Sequence, residues 1–545
     1  MLSRRKFIGL ATMGGLTMAL SPVLSACSQT NTGGSGSPST NRGDSAGSQV
    51  IICMESYEEP EAGFDPLHNW GNTVASHDPL IQSTLITIDA DMRFVNDLAT
   101  DFAASEDGMT WTFTIRNDVT FTDGEPLTAA DVAFTINGVK SAEGSEVDLS
   151  MIKQAIAKDD VTIEIQMGRP FNALLYTLAV IGIVPEHAYG PDYGKKPIGS
   201  GRYILEQWDR GQQVILTANP NYYGKAPLME RVIIVFMEQD AAFAAAKAGE
   251  VDIAITSALY GTQSIDGYEI LACKSVDSRG VSLPTLPPGS MYGSGANAKP
   301  AGNAVTSDIA VRRALNLALD RDQLVANVLN GYGTAAYSSA DGMPWANPES
   351  RFTTNIEEAN RLLDDAGWLA GSDGIREKDG VKAHIELCCP PTIIRQVCAQ
   401  EFANQARTVG IDVQVKGVEW SEMDELGLTH PTLWAGGANS PAELYSLYHS
   451  KSLGNISCYE NTTVDSYLDA ALATKTVDES FPLWQKAQWD GKEGVNIKGA
   501  ATWVWLAYVD HLYFKRTNLV VAKQKTHPHG NGWAVANNID QWTWK

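Results

Sequence analysis

Residues 98–136, LATDFAASEDGMTWTFTIRNDVTFTDGEPLTAADVAFTI, carry the clearest local pattern in the chain. Trp111, Phe113 and Ile115 alternate with polar residues, which predicts a half-buried β-strand. A helix is predicted to begin after Thr128, because its side chain can cap the helix and Asp131 stands three residues later, in the capping-box position. The stretch therefore predicts a strand followed by a capped helix.

Strand and helix patterns continue to alternate along the chain. The predicted strands are 233–236, 383–388 and 411–418, and the predicted helices are 241–248, 307–331, 355–366 and 396–409. Glycines follow several of the helical patterns, which is typical of helix C-termini. Alternation of this kind indicates α/β lobes, and we find no internal repeat.

The N-terminus resembles a lipoprotein signal peptide over residues 1–27. Basic residues Arg4 and Arg5 precede a short apolar run, and Leu24-Ser25-Ala26-Cys27 resembles a lipobox, in which Cys27 is acylated after cleavage. Twin-arginine export and general secretion both remain open. Residues 28–48 are rich in Ser and Gly and predict a flexible linker with a reach of roughly 25 Å. We expect an extracytoplasmic protein attached to the cell membrane through lipid on Cys27.

Composition narrows the class of protein. The formal net charge of −23 argues against binding to nucleic acid. The residues beyond the linker are enough for two or three compact units. Six cysteines follow Cys27, and their spacing leaves both disulfides and buried free thiols open.

The sequence offers no pattern typical of an enzyme. GxSxG, HExxH, GxxxxGK[ST] and a GxGxxG between strand and helix are all absent, so neither catalysis nor a cofactor is predicted. His527 and His529 would share one face of a strand and are weak candidates for a metal site. The alternative is a surface turn or a hydrogen-bonded pair.

Six segments, taken in order, resemble the extracytoplasmic solute-binding proteins of family 5, which are the oligopeptide, dipeptide and nickel receptors of ABC importers. The resemblance spans about residues 60–520. The segments are residues 98–136, PIGSGRYILEQW, ANPNYYGKAPLMERVIIVF, GEVDIA, AVRRALNLALDRDQLV and EANRLLDDAGW.

The resemblance implies a bilobal periplasmic-binding-protein-like α/β fold, with two lobes joined by a two-segment hinge and an extra inserted domain. Lobe I would comprise 49–85, 196–290 and 500–545, the inserted domain 86–195, and lobe II 291–499. A solute would be held as the lobes close and would be delivered to the permease and ATPase subunits of an importer. The protein is expected to be a monomer.

The resemblance leaves the ligand open. Peptide receptors of the family pair an aspartate with the peptide ammonium, but the matching stretch, LWAGGANSPAELYSLYHS, has Gly437 or Ala438 at that point. Residues 372–387 resemble a segment of the nickel receptors, yet 178–185 lacks the arginines with which those receptors hold a chelator. A peptide, a nickel complex, and a sensing lipoprotein without transport are the alternatives.

The candidate ligand contacts lie in three places: two where relatives approach their ligand, and a predicted helix on which Tyr445 and His449 are one turn apart. They are His68, Asn69 and Trp70, then Trp434 and Asn439, then Tyr445 and His449. Trp434 is predicted to be either a ligand platform or a core aromatic residue. His449 is also a weak metal candidate, with a structural role as the alternative.

Overall fold

The computed structural model describes residues 47–68, 78–142, 145, 147–293, 295, 298–437, 440–529 and 532–545. The predicted signal peptide, Cys27 and nearly all of the linker lie outside these residues, as do Asn69, Trp70 and Asn439. Ser45–Lys545 forms one compact unit.

The strands within the described residues follow in chain order. In the first half they are β1 Gln49–Met54, β2 Ile86–Ile88, β3 Phe94–Asn96, β4 Ala99–Ala104, β5 Thr110–Ile115, β6 Ile152–Ala157, β7 Thr162–Met167, β8 Tyr203–Asp209, β9 Gln213–Ala218, β10 Arg231–Phe236, β11 Ile253–Thr256, β12 Tyr268–Cys273 and β13 Ser278–Ser282. In the second half they are β14 Ser290–Tyr292, β15 Lys299–Ala301, β16 Gly333–Ala335, β17 Leu369–Ala370, β18 Arg376–Lys378, β19 Val381–Lys382, β20 His384–Cys389, β21 Asp412–Gly417, β22 Thr432–Gly436, β23 Trp503–Val509, β24 His511–Arg516, β25 Leu519–Val520 and β26 Thr543–Trp544.

The α-helices in the same part of the chain lie between these strands. They are α1 Ala129–Ser141, α2 Leu174–Leu178, α3 Gln239–Ala248, α4 Ile309–Ala318, α5 Arg321–Val328, α6 Ile356–Asp365, α7 Ile393–Arg407, α8 Trp420–Leu426, α9 Ala442–Tyr448, α10 Thr462–Leu472 and α11 Val477–Gln488.

Three sheets organise the described residues. The first has the order β12-β24-β11-β1-β10-β9-β8, and the second has the order β16-β23-β13-β22-β20-β21. A third sheet, β4-β5-β7-β6, packs against α1. The first two sheets have separate apolar cores, and each combines parallel and antiparallel strands with helices. The predicted α/β, bilobal fold is confirmed.

Local predictions from the sequence are confirmed at several elements. β5 and α1 form as predicted, and Thr128 and Asp131 complete the capping box. The other confirmed elements are β10, α3, α6, β20, α7 and β21.

The single helix predicted over 307–331 is wrong, because two helices occupy that range. α4 ends at Ala318 and α5 begins at Arg321, with the Asp320 side chain accepting a hydrogen bond from the Gln323 N–H. Arg321 is buried and donates to the carbonyls of Asn316 and Leu319 at the end of α4. A side-chain cap and a buried arginine therefore satisfy the backbone groups that a continuous helix would have bonded.

The chain passes between the first two sheets at two places. Residues 274–277 join β12 to β13, and Asp510 joins β23 to β24. β13 and β23 pair with each other in the second sheet, whereas the boundaries proposed at 290 and 500 assign both strands to lobe I. The division into lobe I, inserted domain and lobe II stays a prediction.

The third sheet shares a continuous apolar core with α9, α10 and α11. Asn172, which follows β7, donates from its backbone N–H to the Leu472 carbonyl (3.0 Å) and from its side chain to the Ala471 carbonyl (2.8 Å). This contact joins the segment after β7 to the end of α10, and Arg169 of the same segment lies 5.4 Å from the ring centroid of Tyr445 on α9.

Candidate functional site

The two crossing segments are hydrogen bonded to each other. The Val509 N–H donates to the Asp277 carbonyl (2.9 Å), and the Ser275 hydroxyl donates to the Val509 carbonyl (2.5 Å). The Lys274 ammonium lies 2.8 Å from the Asp510 carboxylate. The segments therefore form one two-stranded connection, which is the geometry of a hinge.

A C-terminal segment, residues 526–529, packs along this hinge. The His527 N–H donates to the Lys274 carbonyl (2.9 Å), and the Val276 N–H donates to the His527 carbonyl (2.8 Å). The His529 N–H donates to the carbonyl of Gly437, which follows β22 (2.9 Å). Gly437 has φ +142°, and a Cβ there would lie 2.0 Å from the Val276 carbonyl oxygen, so the close approach of β22 to the hinge requires glycine.

Asp277 is the charged centre of the hinge. Its carboxylate pairs with the Arg279 guanidinium and lies 2.5 Å from His529 Nδ1 and 3.3 Å from His511 Nε2. Burial alone would raise the pKa of this carboxyl group, but Arg279 and His529 hold it well below its usual range. Asp277 is therefore an anion that ties β13 to β24 and to the C-terminal segment.

His527 is buried beside this centre. Its Nδ1 lies 3.2 Å from His511 Nδ1, and its Nε2 lies 3.0 Å from the Gln524 side-chain oxygen. Burial, followed by repulsion from His511 and Lys525, lowers the pKa of His527 well below its usual value. The ring is accordingly neutral at physiological pH.

A cavity of about 740 Å³ opens next to the hinge. One wall is the segment after β7, from Arg169 to Val180, and another is α9 with its flanking residues. The third contains Asp78, Lys525, Pro528 and His529. Apolar and aromatic side chains dominate the lining, namely Ile88, Val147, Met151, Phe171, Tyr176, Val180, Tyr445, Leu453 and Leu472. A pocket of this size and composition suits a small organic solute.

Several of the side chains that line this cavity are charged. The Arg169 guanidinium lies 5.4 Å from the ring centroid of Tyr445 and 5.9 Å from that of Phe171, and no carboxylate of the described residues forms an ion pair with it. Glu443 Oε1 accepts a hydrogen bond from the Gly437 N–H (2.7 Å). Lys525 is paired with Asp78 at 2.7 Å. The cavity thus offers an arginine without an acidic partner among the described residues and, near Gly437, a carboxylate.

Of the predicted contact residues that are described, Tyr445 lines the cavity. His68 is exposed, and its N–H donates to the Asp65 carbonyl. Trp434 is half-buried, with its ring edge-on to Trp420 at 5.8 Å, and it is not among the residues that line the cavity. These three predictions stay open as statements about ligand contact.

His449 makes several contacts within the protein. It is buried, ends α9, and stacks on Tyr445 with ring centroids 4.3 Å apart. Its Nδ1 accepts from the Lys451 N–H, and its Nε2 lies 3.5 Å from Asp469. The placement favours the structural alternative over a ligand or metal contact.

The two histidines proposed as a metal pair have different partners. His527 contacts His511 and Gln524, whereas His529 contacts Asp277. Within the described ranges no group of three or more His, Cys, Asp or Glu residues is placed to hold a metal ion.

In the same ranges, no helix combines the length and the apolar character that crossing a membrane requires. The cysteines from Cys53 to Cys458 are buried and unpaired, as one of the two alternatives proposed.

Sequence reasoning missed Arg169, Glu443 and His511. Arg169 lies outside the stretch 178–185 where arginines were expected, and it lies 5.4 Å from the ring centroid of Tyr445 on α9. Glu443 stands five or six residues beyond Ala438 or Gly437, where an aspartate was expected, and its carboxylate accepts a hydrogen bond from the Gly437 N–H. An acidic residue in the first turn of the helix after Pro441 is the sequence signal that marks it.

Two α/β sheets joined by two crossing segments, with a solute-sized cavity beside the crossing, define the class of bilobal solute-binding proteins. The chain belongs to the bacterial extracellular solute-binding proteins, family 5, whose model matches residues 93–456.

Individual relatives agree with this assignment. Protein XP55 of Streptomyces lividans is 31% identical over 491 residues, covering 86% of this chain and 85% of that protein. The oligopeptide-binding protein AppA of Bacillus subtilis is 27% identical over 495 residues, covering 84% and 87%. The solved structure of NikZ from Campylobacter jejuni in complex with Ni(L-His) matches 91% of this chain and 99% of that one, with a TM-score of 0.74 and 23% identity.

Proposed function

We propose that this chain is the solute-binding subunit of an ABC importer and that it captures a peptide or a peptide-like solute by hinge closure. The observation that carries the proposal is the cavity of about 740 Å³ beside the two-segment hinge. Its apolar lining includes Glu443 and Arg169, and Arg169 forms no ion pair with a described residue. The relative AppA is named as an oligopeptide-binding protein. We also propose that the chain is not an enzyme, acts as a monomer, and is held outside the cytoplasm by lipid on Cys27.

The chemistry of the cavity suits a ligand with both charges. Arg169 can donate paired hydrogen bonds to a carboxylate, and Tyr445 and Phe171 hold its guanidinium from the side. Glu443 can accept from an ammonium group and occupies the region where the family's aspartate is missing. Tyr176, Phe171 and Leu472 give the side chains of a peptide an apolar surface.

Capture requires that the ligand favour the closed arrangement of the lobes. A ligand that touches α9 on one side of the hinge and the Lys525–His529 segment on the other has that differential affinity. Moving a two-state equilibrium from 1:99 to 99:1 takes about 5.5 kcal/mol of difference in binding energy. Two charged contacts plus buried apolar surface supply a free energy of that order.

A nickel or other metal complex is the second candidate, favoured by Arg169, which has no carboxylate partner in the part of the chain that the structure describes. Because the described residues hold no metal-ligand cluster, the protein would bind the organic chelator through its carboxylates rather than ligate the ion. NikZ, to which the fold is similar, is described in complex with Ni(L-His).

The experiment uses the chain from residue 28 onward, which retains the whole compact unit Ser45–Lys545. It is refolded to remove carried ligand and tested by thermal unfolding with di- to pentapeptides, Ni²⁺ alone, and Ni²⁺ with histidine. A specific ligand at a hundredfold its Kd adds about 2.7 kcal/mol to the folded state. Stabilisation by peptides supports the proposal, whereas stabilisation only by nickel with histidine replaces it by the second candidate.

Uptake separates transport from sensing. Cells that lack the chain should lose uptake of the stabilising solute if it serves an importer. Unchanged uptake, together with binding by the purified chain, would instead favour a ligand-sensing lipoprotein.

A further inference from the structure

The side-chain amides beside the C-terminal segment have a fixed orientation. The Trp542 Nε1–H can only donate, and it lies 2.9 Å from the Asn538 side-chain oxygen, so that atom is an acceptor. The Asn538 Nδ2 accordingly donates to the Lys523 carbonyl (2.8 Å). The group of Gln524 that faces the Asn538 oxygen at 2.7 Å must then be its NH₂ group, which leaves the Gln524 side-chain oxygen facing His527.

This orientation determines which nitrogens of His527 carry a proton. The Gln524 oxygen can only accept, and it lies 3.0 Å from His527 Nε2, so Nε2 carries a proton. His527 is fully buried and neutral, and a neutral imidazole has a proton on one nitrogen only. Its Nδ1 is therefore an acceptor, and His511 Nδ1, at 3.2 Å, must be the donor.

The other ring nitrogen of His511 donates as well. Its Nε2 lies 3.3 Å from an oxygen of Asp277, and an ionised carboxylate can only accept. His511 thus donates from both nitrogens, which makes it an imidazolium. If His527 held the extra proton instead, the four ring nitrogens would still carry three protons, so the pair has one positive charge in either arrangement. The charge belongs on His511, because that ring contacts the Asp277 anion.

Charged and titratable side chains from each neighbouring element surround this pair. The Asp277 carboxylate is the one carboxylate bonded to either ring among the described residues. Burial raises the pKa of the Cys273 thiol, opposite His511 in the β12–β24 register, to about 12 and raises the pKa of Tyr513 well above its usual value, so both are neutral. The other groups are Arg279 and His529 on Asp277, Tyr57 and Arg395 at longer range from it, Lys525 near His527, and the Lys274–Asp510 pair at the crossing.

The pair joins the hinge to one wall of the cavity. His511 begins β24, directly after the crossing, and His527 lies in the C-terminal segment, whose next two residues, Pro528 and His529, line the cavity. Without the extra proton and with the Gln524 bond kept, one unprotonated nitrogen of His511 would face either His527 Nδ1 or the Asp277 carboxylate. Both arrangements bring two acceptors together, so the proton holds the wall against the hinge.

We propose that the His511–His527 pair holds one proton more than two neutral imidazoles and that His511 is a positioning residue, which through His527 fixes the wall formed by Pro528 and His529 for the bound solute. The second half of this inference rests on the proposed function, and the first half does not. Solute binding should therefore weaken as rising pH removes the proton.

The first measurement is ¹⁵N NMR of the ring nitrogens in the chain from residue 28, labelled in histidine, at pH 7.5, where an imidazole with the ordinary pKa of about 6.5 is mostly neutral. The variants His511→Gln and His527→Gln assign the two rings through the loss of their signals. We expect His511 to be protonated on both nitrogens and His527 to be protonated on Nε2 alone.

The second measurement is calorimetry with trialanine from pH 6.5 to 8.5 on the native chain, His511→Gln and the control His384→Gln. His384 also contacts a carboxylate, that of Asp412 at 2.7 Å, but it is 48% exposed on the surface. We expect His511→Gln to bind about tenfold or more weakly at pH 6.5, since a hydrogen bond of a charged group is lost, and His384→Gln to bind like the native chain. The ratio of native to His511→Gln affinity cancels the titration of the peptide itself, and it should follow the protonated fraction of the pair that NMR measures at each pH.

A pair with only two ring protons at pH 7.5, or a His527 whose Nε2 is the unprotonated nitrogen, would overturn the proposal. Equal trialanine affinity of His511→Gln and the native chain at pH 6.5 would overturn the positioning role. His511→Asn replaces the glutamine variant if that variant does not fold.

If trialanine binds to none of these chains, the result counts against the peptide function, and amide hydrogen exchange then tests the positioning role. The His527 N–H, which donates to the Lys274 carbonyl, should be about tenfold or more less protected in His511→Gln than in His384→Gln at pH 6.5. Equal protection in the two variants would overturn that role.

Discussion

Glu58 provides a quantitative test of the packing between the residues that follow β1 and Gly532. The residue follows β1 and is fully buried, and neither carboxylate oxygen makes a well-formed hydrogen bond within the described residues. Burial raises the pKa of Glu58 to about 8, and the nearby backbone of Gly532 offsets only part of this rise. The carboxyl group is therefore protonated in the folded protein at neutral pH and ionised once the chain unfolds.

The direction of the pH effect follows from linkage. The folded-state pKa lies above the unfolded value, so the unfolded chain releases this proton at lower pH than the folded one. Stability should fall as pH rises from about 4.5 to about 8 and then level off. At 1.36 kcal/mol per pH unit, the contribution of Glu58 between pH 5.5 and 7.5 is about 2.7 kcal/mol.

The assay is urea unfolding of Glu58→Gln and of the native chain at pH 5.5 and 7.5. Glutamine resembles the protonated carboxyl in shape, so the variant should gain about 2–3 kcal/mol relative to the native chain between the two pH values. The exposed Glu61 serves as the control, because Glu61→Gln should leave the pH dependence unchanged. Parallel stability differences for Glu58→Gln at both pH values would refute the reasoning and place an ionised carboxylate at this position.

Three further outcomes are expected. In urea titration, Gly437→Ala should lower the free energy of unfolding by about 2–4 kcal/mol, because the added Cβ would meet a hinge carbonyl oxygen at 2.0 Å. The control Gly211→Ala, which has open space around it, should lower the free energy of unfolding by about 1 kcal/mol. Arg169→Gln should weaken binding of the stabilising solute about tenfold or more in calorimetry, with little change in the stability of the unliganded protein. The exposed Lys153→Gln is the control, and equal affinity in the two variants would exclude Arg169 as a ligand contact. Asp320→Ala should cost about 1 kcal/mol in urea unfolding by removing the cap of α5, and an unchanged value would mean that the helix boundary does not depend on that side chain.

The residue pattern predicted elements whose determinants are local. β5, α1, α3 and α6 were predictable because their alternation, caps and terminal residues lie within a few positions of one another. The helix over 307–331 was mispredicted for the opposite reason. Its interruption depends on Arg321, whose donors reach carbonyls of α4 as well as the Ala336 and Trp505 carbonyls.

The candidate site shows the same division. Tyr445 was a predicted ligand contact, and it lines the cavity. It could be predicted because the segment around it resembles the family. Arg169 and Glu443 were missed, and so was the convergence of Asp277, His511 and His529 at the hinge. The members of each group are separated by up to several hundred residues, and no local pattern marks their proximity.

By itself the sequence determined the α/β class, the resemblance to family 5 and the expectation of an extracytoplasmic receptor, because periodicity, capping and motif order are properties of neighbouring residues. Only the tertiary structure decided which charged residues line the cavity and that Asp277, His511 and His529 meet at the hinge. The reason is that burial and charge pairing depend on distances between segments far apart in the chain, and those distances exist only once the sheets have packed.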